Sequence, residues 1–325
     1  MASDLVSIVI VCYNNWPDLE LAIESALCQS YQPIEVIVVD NDSSDATPSE
    51  VPLRYGDRVH YLRQANRGDS GGYNTGMQVA AGEFIQFLDG DDFLAPNKIE
   101  KQVAILRDQP QLDVVYGDMR QFQSYGGAAY WEDWETGEYE DMLQTFIISD
   151  GGPAYHSYLY RRRVVEGLGN WDETLYTSDL DYWLRAAWAG YRFRYCPGSW
   201  CFYRRRPGQM TTNSMAMMRG REAVWAKALD YITSEPYRSM VLDKLTHTRF
   251  RLAMMDRELT LRQAFGKLAL ARAADPSIVN LLSYTVGAVL IVLPGSGFLF
   301  RARWMKPVRH WISRIIGTYP ERSSE

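Results

Sequence analysis

Several functional classes are argued against by what this chain of 325 residues lacks. It has no basic excess: 34 Lys and Arg stand against 40 Asp and Glu, a net charge of −6. With a pI near 5.4, no surplus of cations is available to neutralise a phosphate backbone, and no nucleic-acid partner is expected. Cysteine is scarce: Cys12, Cys28, Cys196 and Cys201 show neither a CxxC pair nor a zinc spacing. They read as reduced core thiols of a cytosolic protein. The chain runs from Met1 into an apolar stretch by Leu5 with no basic leader and no long apolar core, so no secretory signal is expected. The glycines between Gly68 and Gly76 match neither the Walker nor the dinucleotide spacing. They read as a point of close backbone approach ahead of a helix over 77–81.

What is present is apolar and patterned. At 46% hydrophobic residues the chain can bury one large core or two smaller ones. Residues 5–11 are apolar except for Ser7, as in a parallel strand covered on both faces, and they end in Cys12-Tyr13-Asn14-Asn15. Helical spacing over 18–29 leads to a second apolar run, 34–39, which ends in Asp40-Asn41-Asp42-Ser43. Strand, helix, strand with polar residues at the strand ends is the pattern of an α/β sheet with its ligand site beyond the strand carboxyl ends. A short strand follows at 59–63.

The run Phe84, Ile85, Phe87, Leu88 then stops at Asp89, Asp91 and Asp92. Three carboxylates at one strand end repel, which suggests a bound cation, a donor array, or both. Oxygen-only ligands favour Mg²⁺ or Mn²⁺. A solvated acidic turn is the plainer alternative.

Residues 96–107 read as a helix entered through Pro96, and 113–116 as a strand. Between Gln121 and Glu140 lie Tyr125, Tyr130, Trp131, Trp134 and Tyr139, either an acceptor-facing surface or a β-hairpin with ordinary cross-strand aromatic pairs. From Leu180 helical spacing returns, placing Asp179 at a helix start, where it could be a plain N-cap or a carboxylate available as a base. Arg204, Arg205 and Arg206 bring three guanidiniums into a loop, and planar forks suit diphosphate oxygens; a solvated basic turn is the alternative. A charged helical stretch extends to Arg272. Residues 276–300 carry no charge and are followed by Arg301, Arg303, Lys306, Arg309 and Arg314 among tryptophans and isoleucines, the composition of an interfacial helix. Peripheral or re-entrant membrane contact through 276–319 is expected, with a buried apolar helix as the alternative.

Taken in order and spacing, these pieces resemble the family 2 glycosyltransferases over about residues 4 to 215. The resemblance rests on Val6-Ser7-Ile8-Val9-Ile10 with Tyr13-Asn14, Val38-Val39-Asp40-Asn41-Asp42-Ser43-Ser44-Asp45, Ala81-Gly82-Glu83, Leu88-Asp89-Gly90-Asp91-Asp92, and Trp171-Asp172-Glu173 ahead of Asp179-Leu180-Asp181-Tyr182-Trp183-Leu184-Arg185. It implies a GT-A fold, an α/β architecture with a mixed central sheet flanked by helices. A nucleotide-binding half would span 1–118 and an acceptor half 119–215, followed by a helical extension over 216–275 and the membrane-associated segment 276–325.

The implied activity is inverting transfer of a hexose from a nucleotide-diphosphate sugar, UDP first and dTDP second, to an acceptor hydroxyl; the apolar segment 276–300 adds the expectation of a glycan or lipid-linked acceptor at the inner face of the cytoplasmic membrane. By the same resemblance Tyr13 stacks on the base while Asp40 and Asn41 read its edge, and Asn14, Asp42 and Asn74 line the donor. Asp89 lies near the ribose, Asp91 holds the metal and Asp179 is the catalytic base. Asn41 stands where many relatives have Asp, and Arg206 where many have a His able to bind metal; Arg cannot ligate, so Arg204 or Arg206 is expected on the diphosphate. Two alternatives remain. One is a haloacid-dehalogenase-like phosphatase with Asp89 as nucleophile, and the other a non-catalytic scaffold that binds sugar nucleotides.

Overall fold

A computed structural model describes residues 4 to 255 apart from 126, 127, 135 and 207. The chain divides after Asn213 into two compact units.

The first unit opens with strand β1 (Val6–Cys12), every residue of which is buried. Helix α1 (Asp18–Leu27) follows, turning Leu19, Ala22, Ile23 and Ala26 inward, and leads to β2 (Ile34–Asp40). After helix α2 (Thr47–Tyr55), β3 (His60–Arg63) and helix α3 (Gly68–Val79), the chain enters β4 (Phe84–Asp89). A two-residue strand β5 (Phe93–Leu94), helix α4 (Lys98–Asp108) and β6 (Val114–Tyr116) complete this run. Next come the antiparallel pair β7 (Met119–Tyr125) and β8 (Ala128–Trp134), then helix α5 (Met142–Ser149). Strand β9 (Leu159–Arg161), helices α6 (Arg162–Leu168) and α7 (Ser178–Trp188), β10 (Phe193–Tyr195) and β11 (Cys201–Arg204) finish the unit.

Seven strands form the main sheet in the order β10-β6-β9-β4-β1-β2-β3. β1 pairs in parallel with both β2 and β4, as its unbroken apolar character requires of a central strand. β9 runs antiparallel to β4 and β6, which makes the sheet mixed. The carboxyl ends of β1, β2 and β4 therefore share one edge, and Tyr13, Asp40 and Asp89 lie there. A smaller sheet, β5-β11-β7-β8, brings β11 beside β5 and so carries the arginine loop back to the acidic strand end.

Two expectations need correction. Gly71, Gly72 and Gly76 do not precede a helix; they lie within α3. A Cβ on Gly72 would come within 2.5 Å of Val11 and one on Gly76 within 2.2 Å of Val9. The glycines therefore let a helix approach β1, and the close contact lies between helix and sheet. The second correction concerns the thiols: Cys12, Cys196 and Cys201 are buried, but Cys28, just past α1, is exposed.

The aromatic stretch forms the hairpin β7–β8; the side chains of Tyr125, Tyr130, Trp131 and Trp134 lie outside the described residues. The second unit contains helices α8 (Ser214–Tyr231) and α9 (Tyr237–Met255), joined by the ion pair of Arg249 with Glu222 at 2.8 Å. Segment 276–319 lies outside the described residues, and among those described no helix is long and apolar enough to cross a membrane.

Candidate active site

Each strand end contributes differently. Tyr13, just past β1, is 51% exposed, an aromatic face that the fold holds open beside the sheet edge. Asn14 takes a left-handed conformation, φ 51°, and its Oδ1 accepts from the backbone N–H of Ser44 at 2.7 Å, pinning the loop after β2. In that loop Asp40 is fully buried; its Oδ1 accepts from the N–H of Ser43 at 2.8 Å and its Oδ2 from the Tyr61 hydroxyl at 2.6 Å. Asn41 is buried as well, donating to the Gly68 carbonyl at 2.9 Å and accepting from Gln64 at 2.7 Å. Asp42 is exposed and pairs with Arg63 at 2.8 Å. Asp40 and Asn41 thus brace the turn and the start of α3 through internal hydrogen bonds.

The end of β4 is the electrostatic centre. Asp89, Asp91 and Asp92 offer carboxylate oxygens that all lie within 4.8 Å of one another. The Tyr73 hydroxyl donates to Asp89 at 2.8 Å. Burial, then the charges of Asp69, Asp91 and Asp92, push the Asp89 carboxyl well above its ordinary value. That direction suits a group whose charge a cation restores. Asp92 is buried beneath, accepting from the Arg204 N–H at 2.7 Å and lying 3.3 Å from His156 Nδ1. Burial and the charge of Lys98 hold His156 down to about 3, so the ring is neutral. An all-oxygen donor set with an acidic surplus fits a hard divalent cation, and Asp91, which is not buried as Asp92 is, would hold it.

The arginine loop closes on this centre. Arg206 lies 3.1 Å from the Asp91 carboxylate and 3.7 Å from that of Asp18, while Arg204 donates to the Asp91 carbonyl at 2.8 Å and lies 3.4 Å from Asp18. Gln209 fastens the loop, accepting from the Arg206 N–H at 3.0 Å.

Asp179 is the second residue of α7 and its Oδ1 accepts from the Leu180 N–H at 2.9 Å. Thr177 precedes the helix without a side-chain cap, so Asp179 is not the N-cap. The starts of α7 and α3 are tied together. The Ser70 hydroxyl donates to that of Ser178 at 2.7 Å, Arg67 Nε donates to Glu173 at 3.0 Å, and Asn74 donates to the Trp171 carbonyl at 3.0 Å and accepts from its N–H at 2.8 Å. Asn74 is therefore a brace between these segments, buried and fully engaged.

Reading the sequence alone passed over three residues that the fold brings in: Tyr73, Gln209 and Asp69. Asp69 opens α3, and its carboxyl is raised by lost hydration and then by the charges of Asp91 and Asp179. Its sequence signal was there, an acid in a helix first turn, but that pattern ordinarily only complements the helix dipole.

Against known proteins, a model of the family described as glycosyl transferase family 2 matches residues 7–169. An uncharacterised glycosyltransferase of Rickettsia typhi is 30% identical over 249 residues, 72% of this chain and 74% of that protein. The Escherichia coli UDP-Glc:α-D-GlcNAc-diphosphoundecaprenol β-1,3-glucosyltransferase WfgD is 37% identical over 116 residues, 35% of this chain and 45% of its own length. Among solved structures, the Pyrobaculum calidifontis mannosyltransferase in complex with GDP-Man and Mn²⁺ has a similar fold, with a TM-score of 0.58 at 19% identity over 97% of this chain and 84% of that one.

Proposed function

The chain belongs to glycosyl transferase family 2 and is a glycosyltransferase of GT-A fold, and from that membership we propose an inverting enzyme that moves a hexose from UDP, with dTDP the second choice, to an acceptor hydroxyl. The observation that carries the reading is the meeting of three parts at one sheet edge. These are the Asp89–Asp91 strand end, the guanidinium of Arg206 at 3.1 Å from it, and the Asp179 helix start tied in through Ser178 and Ser70.

In this reading the exposed Tyr13 ring stacks on the nucleotide base and the loop of Asp40, Asn41 and Asp42, pinned by Asn14, walls the base and ribose. Asp89 faces the ribose. Asp91 holds Mg²⁺ or Mn²⁺, which supplies charge stabilisation for the departing diphosphate when bound. Arg204 and Arg206 meet the diphosphate oxygens. Asp179 takes the proton of the acceptor hydroxyl as its oxygen bonds to the anomeric carbon. The bond from that carbon to the diphosphate breaks, its electron pair leaves with the nucleoside diphosphate, and configuration inverts.

The name of WfgD supports UDP-glucose as a donor and a lipid-linked diphosphate sugar as an acceptor. The uncharged stretch 276–300 with its basic flank supports a site of action at the inner membrane face. Donor binding and slow hydrolysis of UDP-, dTDP- and GDP-sugars, with and without Mn²⁺, test the proposal. Asp91→Ala should abolish metal-dependent binding. Asp179→Asn should keep binding and lose turnover by about 10²- to 10⁴-fold. A wild-type protein that binds no nucleotide would overturn the reading.

A further inference from the structure

We propose that Asp69 is a specificity-determining residue that accepts a hydrogen bond from a hydroxyl of the sugar being transferred, an assignment that rests on the glycosyltransferase reading above. Two contacts fix its place. Tyr73, one turn further along α3 and on the same face, donates to Asp89 at the end of β4. Ser70, the next residue, donates to Ser178, the neighbour of Asp179. Asp69 therefore stands between the strand end that would hold the leaving diphosphate and the helix start that would hold the base. In an inverting displacement the nucleophile and the leaving group lie on opposite sides of the anomeric carbon, so the sugar ring occupies the space between those two groups.

The carboxylate is also held at a disadvantage. Among the described residues no hydrogen bond or ion pair reaches it, although Arg67, two residues earlier, makes an ion pair with Glu173. Solvent reaches Asp69, yet lost hydration and the charges of Asp91 and Asp179 all disfavour its anion. A dipole-complementing acid at a helix start has no need to face two other carboxylates. Water satisfies this exposed acceptor in the free protein, and a ligand that displaces the water must bring O–H or N–H donors of its own, the only groups from which a carboxylate accepts. Sugar hydroxyls are the donors that a nucleotide sugar would place there, since in that reading the ribose hydroxyls, the other donors near this edge, face Asp89.

The experiment compares affinities for nucleoside diphosphates and for the matching nucleotide sugars, in Mn²⁺, on the full chain. Calorimetry with UDP, UDP-glucose, UDP-galactose, UDP-N-acetylglucosamine, dTDP with dTDP-glucose, and GDP with GDP-mannose identifies the sugar that adds most to wild-type affinity. In Asp69→Ala that increment should shrink by about 10- to 100-fold while affinity for the bare nucleotide stays within twofold. Deoxyfluoro analogues of the preferred sugar should then include one that wild type rejects relative to the parent and that Asp69→Ala does not distinguish from it. Titration of Mn²⁺ alone, followed by electron paramagnetic resonance, should be the same in both proteins.

An increment that survives in Asp69→Ala, or a loss shared equally by the bare nucleotide, would overturn the assignment. So would weakened Mn²⁺ binding in the variant, which would make Asp69 a metal ligand instead, or a wild-type protein for which no sugar adds affinity. A wild-type protein that binds no nucleotide at all would remove the enzymatic reading itself, an outcome distinct from all of these.

Discussion

The Arg206 guanidinium lies 3.1 Å from the Asp91 carboxylate, tying the loop after β11 to the end of β4. Asp18, at the start of α1, shares that cation at 3.7 Å and takes Arg204 at 3.4 Å. Part of the acidic surplus that a metal would neutralise is thus balanced by side chains with no capacity to ligate metal.

If Arg206 moves from the carboxylate to the diphosphate when the donor binds, its loss has opposite effects on two ligands. Arg206→Ala should weaken UDP binding in Mn²⁺ by about tenfold and tighten Mn²⁺ binding in the absence of nucleotide. Arg206→Lys should restore only part of the UDP affinity, since a point charge replaces a planar fork. Calorimetry reads both quantities, and unchanged UDP affinity in Arg206→Ala would remove Arg206 from the diphosphate.

Tyr13, just past the fully buried β1, is 51% exposed, a ring with nothing to cover it. Tyr13→Ala should lower UDP affinity by about 10- to 100-fold, the range of base stacking on an aromatic ring. Tyr13→Trp should keep it, and pyrophosphate binding should be equal in all three proteins. Equal UDP affinity across the series would place the base elsewhere.

The contact of α3 with β1 has no room for a methyl group. Gly76→Ala, with its new Cβ 2.2 Å from Val9, should cost about 1–3 kcal/mol in urea denaturation. Val9→Ala in the same chain should return part of that loss, because it removes the clashing methyls. A Gly76→Ala protein as stable as wild type would mean that the helix stands further from the sheet.

Lys98 is fully buried, donating to Gln86 at 2.5 Å and Gln102 at 2.8 Å, and burial brings it down from 10.5 to about 7. Between pH 7 and 10.5 the unfolded chain holds a proton that the folded chain does not, so stability rises with pH across that window. The slope from one such proton is about 1.4 kcal/mol per pH unit. In Lys98→Met it should vanish, so the stability of wild type relative to the variant should grow between pH 7 and 9. Parallel pH profiles for the two proteins would show that Lys98 stays charged in the fold.

Much of the acidic sheet edge was legible because its signals are local. An apolar run that ends in Asp89, Asp91 and Asp92 can hardly be anything but a strand delivering carboxylates to its end, and β1 and β2 read the same way. The arginine loop announced itself by composition. What escaped depends on contacts distant in sequence. Three glycines suggested a loop because glycine is a poor helix former, and only the nearness of Val9 and Val11 explains their place in α3. Asp69 looked like an ordinary first-turn acid until Ser70 was found against Ser178, more than a hundred residues away. Asp40, Asn41 and Asn74, expected at the donor, also have internal partners that no local signal showed: Ser43, Tyr61, Gly68 and Trp171.

The reversed course of β9 has a mechanical reading. Because β9 opposes β4, the segment entering it, with His156 beside Asp92, reaches the same sheet edge as the ends of β1, β2 and β4. One edge is thus supplied from two stretches of chain separated by the β7–β8 hairpin, and the ladder from Phe84 with Arg161 to Gln86 with Leu159 holds them in register. A slide of either stretch along the sheet would have to break that ladder, so the two sides of the edge keep their spacing as one piece.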